Sequence, residues 1–333
     1  MNKNKTFVAV LLVLVTMNLF GQENGQVIEK NLIPNDTLLS LFSKTSIPER
    51  FVISNESSMS WNNNWKHLDN LNLYSITYFS DGLKVKGYLI EPKAEGKYPC
   101  IIFNRGGNRD FGSLNPFRIA LFKSKLASKG YVIIASNYRG VNGGDGMEEY
   151  GGSDINDVLN LIPVLGQVEK ADTTRIGMNG WSRGGMMTYI ALTKTDRIKA
   201  AVVGGALSNS FKMILDRPEM ETDVIAELVP NYEEKKEKEL EKRSAVKWAD
   251  KFPKNVPILM MHGNSDWRVK PEQSLKLALE FEKYRIPYRL IIFEGADHGI
   301  SEFSDETDKN TLSWFDRYLK NGEPLPDMEY HGR

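Results

Sequence analysis

An α/β fold on a mostly parallel central sheet, with helices on both faces, is what this sequence predicts, and three observations carry the prediction. Short apolar runs recur at Cys100–Phe103, Tyr131–Ala135, Ile176–Met178, Ala200–Val203, Ile258–Met261 and Leu290–Phe293. Helix-period segments separate most of them, at Phe117–Ser128, Ser153–Leu165, Gly184–Thr193 and Pro271–Tyr284, and Thr307–Leu319 follows the last run. Two strand-like stretches, Tyr74–Phe79 and Leu83–Ile90, surround an Asp81-Gly82 turn. Uninterrupted apolar runs alternating with amphipathic helices imply strands buried on both faces, while a tight hairpin implies antiparallel strands at the N-terminal edge.

The elements divide the chain in order. Lys3 and Lys5 precede the apolar stretch Phe7–Val15, and a small residue follows at Gly21. That charged, apolar, small order predicts a signal peptide over residues 1–21 and an exported chain, periplasmic or secreted. Its ending resembles bacterial signal sequences. Residues 22–73, rich in Asn and Ser with one amphipathic stretch at Leu38–Phe42, read as an accessory segment of undetermined structure. The α/β domain spans 74–322 and a tail covers 323–333. Within the domain, 208–251 is too long for a plain connection. It holds Glu233–Arg243, whose opposite charges at i,i+4 spacing predict a solvated helix.

Composition sets limits on partners. Lys plus Arg equals Asp plus Glu at 43 each, which argues against nucleic acid or an anionic membrane surface. No apolar run reaches the ~20 residues of a membrane-spanning helix. The one cysteine, Cys100, lies in a predicted buried strand, where it serves as a small apolar residue. Neither paired metal-ligand spacing nor a nucleotide-binding fingerprint occurs, so no cofactor is expected.

Chemistry concentrates in Gly180-Trp181-Ser182-Arg183-Gly184-Gly185, the only Gly-x-Ser-x-Gly of the chain. A predicted strand precedes it and a helix-compatible run follows, the setting of a nucleophile on a sharp strand-to-helix turn. Flanking side chains would clash there, hence the glycines. A passive serine in a glycine turn is the bland alternative. Serine needs a base, and four histidines are available: His67, His262, His298 and His331. His298 sits in a loop just after the last strand, the place an α/β-hydrolase gives its base in the order Ser, Asp, His. Asp266, in the loop after the preceding strand, is the expected acid. Asp297 competes, but adjacent residues diverge and its carboxylate would struggle to reach the ring. Oxyanion donors are expected from the N–H of Arg183 and from the loop Asn104-Arg105-Gly106-Gly107-Asn108, near Arg105 or Gly106. In such a fold an insertion at 208–251 is a candidate cap over the site.

These stretches, with His262-Gly-Asn-Ser-Asp-Trp-Arg-Val269, Gly295-Ala-Asp-His-Gly299 and Ser136-Asn-Tyr-Arg-Gly140, resemble the catalytic domain of the prolyl oligopeptidase family over residues 74 to 320. Similarity to dienelactone hydrolases is looser. The resemblance implies a Ser182, Asp266, His298 triad and places the Asn-Tyr-Arg-Gly loop near the active site, so Tyr138 and Trp181 are expected on the substrate. Two departures stand out. The chain has no room for the family's β-propeller, and Arg105 replaces the Tyr or His that precedes Gly-Gly in the family's oxyanion loop. Ester hydrolysis therefore leads, with a small-molecule ester or short peptide as partner. A peptidase that anchors a peptide carboxylate on Arg105 or Arg183 comes second, and a silent binding protein on the same scaffold third. Oligomeric state is open.

Overall fold

A computed structural model describes residues 23–55 and 58–332. The proposed signal peptide lies outside the described residues. Among the described residues eleven strands run in chain order: β1 Val27–Ile33, β2 Val52–Ser54, β3 Met59–Trp61, β4 Leu71–Ser80, β5 Leu83–Pro92, β6 Tyr98–Asn104, β7 Val132–Ser136, β8 Ala171–Trp181, β9 Ile198–Gly204, β10 Ile258–Gly263 and β11 Tyr288–Phe293. Nine build one sheet in the order β1-β4-β5-β7-β6-β8-β9-β10-β11, while β2 and β3 pair separately. From β7 to β11 every neighbour is parallel; β1, β4 and β5 add antiparallel strands at one edge. This is the predicted α/β-hydrolase architecture.

Helices α1 Asn35–Ser43, α2 Pro116–Ser128, α3 Ile155–Leu159, α4 Leu161–Leu165, α5 Arg183–Leu192, α6 Ser210–Asp216, α7 Ala226–Leu228, α8 Tyr232–Lys242, α9 Glu272–Tyr284 and α10 Ser304–Phe315 complete the fold. Pro116 opens α2 where a missing N–H costs nothing, and the Asn115 side chain caps it by accepting the Arg118 N–H at 2.9 Å. Strand pleating sends successive side chains to opposite faces. Cys100, Ile102, Met178, Val203 and Met260 join the core under α5 and α9, and Ile101, Phe103, Val202, Leu259 and Met261 join the one under α2 and α10.

The segment whose structure the sequence leaves open is structured over residues 23–55 and 58–73: β1 zips antiparallel onto β4, and Phe42, Phe51, Trp61 and Trp65 form a ring cluster seated on Phe117 of α2, with Phe42 4.5 Å from Phe117. β1 escapes sequence reading because it is an edge strand with both faces largely exposed, so no alternation marks it. The 233–243 helix is solvated along one side only. Glu239 and Arg243 are buried, and Arg243 donates to the carbonyls of Glu149, Tyr150 and Glu239.

The chain leaves β6 toward β7 and returns on its other side as β8. Carboxyl ends of strands flanking such a reversal form a crevice, and in open α/β sheets ligands bind there.

Candidate active site

Ser182 stands at this crevice, between the end of β8 and the start of α5, with φ 58 and ψ −123. A left-handed non-glycine residue is strained, and the surrounding packing must impose it. That packing explains the motif's glycines. A Cβ on Gly180 would lie 2.2 Å from the Gly184 carbonyl oxygen, one on Gly184 1.9 Å from that of Asn104, and one on Gly185 2.3 Å from Ala206 Cβ. Each approach forbids a side chain.

The expected acid and base come from neighbouring loops. Asp266, after β10, has a fully buried carboxylate whose Oδ2 accepts His298 Nδ1 at 2.7 Å. Its Oδ1 accepts the N–H groups of Arg268 at 2.8 Å and Val269 at 3.0 Å. Burial by itself would raise this carboxyl. Hydrogen bonds from His262, His298 and the Val269 N–H outweigh it and hold Asp266 well below the usual carboxylate range. Nδ1 facing a carboxylate carries the proton, which leaves the Nε2 lone pair of His298 free to act as a base.

His298 and Ser182 share a wall. The ring lies 3.2 Å from where a Cβ on Gly205 would be, the Ser182 N–H donates to Gly204 O at 2.9 Å, and Trp181 Nε1 donates to His298 O at 2.9 Å. No hydrogen bond joins Ser182 Oγ to His298, and such bonds commonly tighten only around substrate. Asp297 is occupied elsewhere. Its Oδ1 accepts the N–H groups of Gly299 and Ser301, so it shapes the turn rather than the imidazole.

His262 is a fully buried neighbour of the acid, not a second base. Its Nε2 meets Val269 O at 2.7 Å and lies 3.2 Å from Asp266 Oδ2, and its Nδ1 meets Ser274 Oγ at 2.6 Å. Because Nε2 faces only acceptors, it bears a proton. Its position at a strand end, four residues before Asp266, was the available signal.

Gly106 abuts Ser182: a Cβ there would lie 3.1 Å from Ser182 Cβ and 3.7 Å from Oγ. Arg183 opens α5, where a first-turn N–H has no intrahelical acceptor. Among the described residues neither the Gly106 nor the Arg183 N–H donates to another protein atom.

The side chains of Tyr138, Arg105 and Arg183 lie elsewhere than expected. Tyr138 has no exposed surface; its hydroxyl donates to Arg105 O at 3.0 Å, so it supports a loop instead of touching substrate. Trp181 is half-buried and engaged with His298 O. The guanidiniums of Arg105 and Arg183 are buried beneath the site on Glu148 and Asp154, so neither can anchor a substrate carboxylate. Glu148 and Asp154, in a glycine-rich stretch, gave no sequence signal as counter-charges. Loops around the crevice make its rim. Arg268 reaches toward Phe111 and Trp267, and both rings are exposed. From the 208–251 insertion, Arg217 lies over Trp267, and Asp223 O and Glu227 receive Arg109. The insertion thus touches the rim from one side.

Comparison with known proteins agrees with this geometry. The description "Prolyl oligopeptidase family" matches residues 117–322. The uncharacterized peptidase YtmA of Bacillus subtilis is 28% identical over 250 residues, 75% of this chain and 93% of its own. A second B. subtilis protein, the uncharacterized peptidase YuxL, is 32% identical over 260 residues, 72% of this chain and 38% of its own. Among solved structures, a puromycin-hydrolyzing peptidase of Mycobacterium tuberculosis is 25% identical with a TM-score of 0.64, covering 74% of this chain and 40% of that one. The acylaminoacyl peptidase of Pyrococcus horikoshii is 26% identical with a TM-score of 0.64, covering 80% and 45%. Apart from YtmA, the chain spans less than half the length of these relatives.

Proposed function

The chain belongs to the prolyl oligopeptidase family and is a serine hydrolase, and from that premise we propose that it is a serine peptidase cleaving short peptides through an acyl-serine intermediate. One observation carries the choice of peptides over esters. A protein named as a peptidase matches this chain over 93% of its own length, so the catalytic domain recurs at this size under a peptidase name. The relatives move the peptide reading ahead of the ester reading, which sequence alone placed first.

In this reading Ser182 Oγ attacks the scissile carbonyl carbon while its proton passes to His298 Nε2. Asp266, already bonded to Nδ1, stabilises the imidazolium and fixes its orientation. The carbonyl oxygen becomes an oxyanion held by the N–H groups of Gly106 and Arg183. Collapse breaks the C–N bond, and His298 returns the proton to the leaving amine. Water then attacks the acyl carbon and gives a proton to His298; collapse breaks the Ser182 Oγ–C bond, His298 returns that proton to Oγ, and the acid is released. The exposed rings of Phe111 and Trp267, interleaved with Arg217 and Arg268, suit apolar side chains and peptide carbonyls at the rim. Export follows from Lys3, Lys5 and the apolar stretch after them, and N-terminal sequencing of the secreted fraction checks it.

The test is a substrate panel. Aminoacyl, dipeptidyl and N-acyl-aminoacyl anilides are compared with short-chain aryl esters, each corrected for its uncatalysed rate. Larger rate enhancement on at least one anilide class is expected; esters ahead throughout would return the protein to the esterases.

A further inference from the structure

Beneath the loop that follows β6 lie four charged side chains with almost no exposure, Arg105, Glu148, Asp154 and Arg183. Two are cations and two are anions. Arg183 donates to Glu148 at 2.7 Å and to Asp154 at 2.5 Å, and Arg105 lies 3.5 Å from Glu148. The Tyr138 ring sits between the guanidiniums, 4.9 Å from that of Arg105 and 4.8 Å from that of Arg183. Desolvation makes buried ion pairs no more stabilising than apolar packing of the same volume. What this cluster gives in return is read from its remaining hydrogen bonds.

Arg105 is anchored on Asn137 O, to which its Nε donates at 3.1 Å and its Nη2 at 2.8 Å, and most of the other bonds run to the loop's carbonyl oxygens. Tyr138 OH donates to Arg105 O at 3.0 Å, Arg105 Nη1 to Gly106 O at 3.1 Å, and Arg183 Nη1 to Gly107 O at 3.1 Å. Arg105 also donates to Arg109 O at 3.1 Å and to Phe111 O at 3.4 Å, while the Arg109 N–H is fixed by Glu148. In a trans peptide the N–H points opposite to the carbonyl of the preceding residue. Holding the Arg105 carbonyl on Tyr138 therefore turns the Gly106 N–H away from the cluster. Gly106 is the residue pressed against Ser182. A donor bound to each carbonyl also polarises that peptide unit, which strengthens the next N–H as a donor.

We infer that Arg105, Arg183, Glu148 and Tyr138 are positioning residues, a buried charged clamp that pre-aims the Gly106 N–H at the oxyanion of the tetrahedral intermediate. Arg183 links both halves of the anion site: its main chain supplies one donor, and its side chain braces the loop that supplies the other. The inference rests on the acyl-serine reading above and deepens it. Pre-aimed donors act on charge that exists only in the transition state, so the clamp works through kcat and not through substrate binding.

Tyr138→Phe removes one oxygen and keeps the ring between the arginines. Glu148→Gln and Arg105→Gln probe the charged members, and if either fails to fold, Tyr138→Phe still decides. For each variant kcat and KM on the best anilide or aryl ester are measured, with inhibition constants for an alkylboronic acid, which forms a tetrahedral adduct on serine, and for the carboxylic acid product. In Tyr138→Phe, kcat is expected to fall about 10-fold, with KM and product affinity within about 3-fold and boronate affinity falling in step with kcat/KM. An unchanged kcat, or equal losses for boronate and product, would overturn the clamp. Fluorophosphonate labelling of the wild type separates the two claims. Labelled wild type with indifferent variants refutes the clamp alone, and a wild type unlabelled at Ser182 refutes the acyl-serine reading on which it stands.

Discussion

Replacing Asp266 by Asn is the most informative substitution because the site offers an amide no comfortable orientation. The carboxylate accepts on both oxygens: backbone N–H groups of Arg268 and Val269 on Oδ1, imidazole Nδ1 of His298 on Oδ2, and His262 Nε2 only 3.2 Å from Oδ2. An asparagine that keeps its oxygen toward His298 points its NH₂ at two backbone N–H donors. Turned over, the NH₂ faces the imidazoles, and His298 must place its own proton on Nε2, where it can no longer accept from Ser182. Either way the charge that stabilises the imidazolium is gone. Loss of tautomer and charge together is worth about 10⁴-fold in kcat where a triad acid is so replaced. Asp297→Asn alters only a turn and is expected to stay within about 3-fold, the scale of surface changes. The assay is kcat/KM for both variants at one pH, with circular dichroism to show that each is folded. A loss under 10-fold at 266, or a larger one at 297, would refute the assignment.

Further outcomes follow from the same coordinates. Trp181→Phe deletes the indole N–H that holds His298 O and should lower kcat about 5-fold, the worth of one hydrogen bond, in steady-state kinetics. Cys100 is buried, and burial pushes its thiol up to about 12, so an aromatic disulfide reagent at pH 8 should react only as fast as the protein unfolds. Phe42, enclosed by four aromatic rings, should cost about 3–5 kcal/mol on mutation to Ala in denaturant titration, with faster proteolysis before residue 70. Asp266 has a folded pKa below its unfolded one, so its stabilisation is complete above the usual carboxylate range and fades as pH falls through the folded value. The difference in stability between wild type and Asp266→Asn should therefore change in the wild type's disfavour below about pH 4, as followed by acid unfolding.

Much of the fold was legible because its central strands are buried on both faces and read as unbroken apolar runs. Candidates for nucleophile, base and acid were legible because each sits just past a strand in a fixed chain order, so strand boundaries located Ser182, His298 and Asp266. Side-chain roles beyond these were not. Tyr138 and the two arginines look, as residue types, like groups meant for substrate. Only the coordinates show them turned inward to the carbonyls of the 105–111 loop and to Glu148 and Asp154. Pairing between buried charges 29 to 43 residues apart leaves no periodicity to read. β1 was hidden for a related reason, since an edge strand exposed on both faces has no apolar alternation.

The central claim is that the strained Ser182, served by His298, is the one hydroxyl in this chain able to attack a carbonyl. Intact-mass measurement after treatment with a fluorophosphonate, followed by peptide mapping, tests it most directly. One adduct per chain, confined to the peptide carrying Ser182 and lost in both Ser182→Ala and His298→Ala, is the predicted result. An unmodified protein, or an adduct on any other residue, contradicts it.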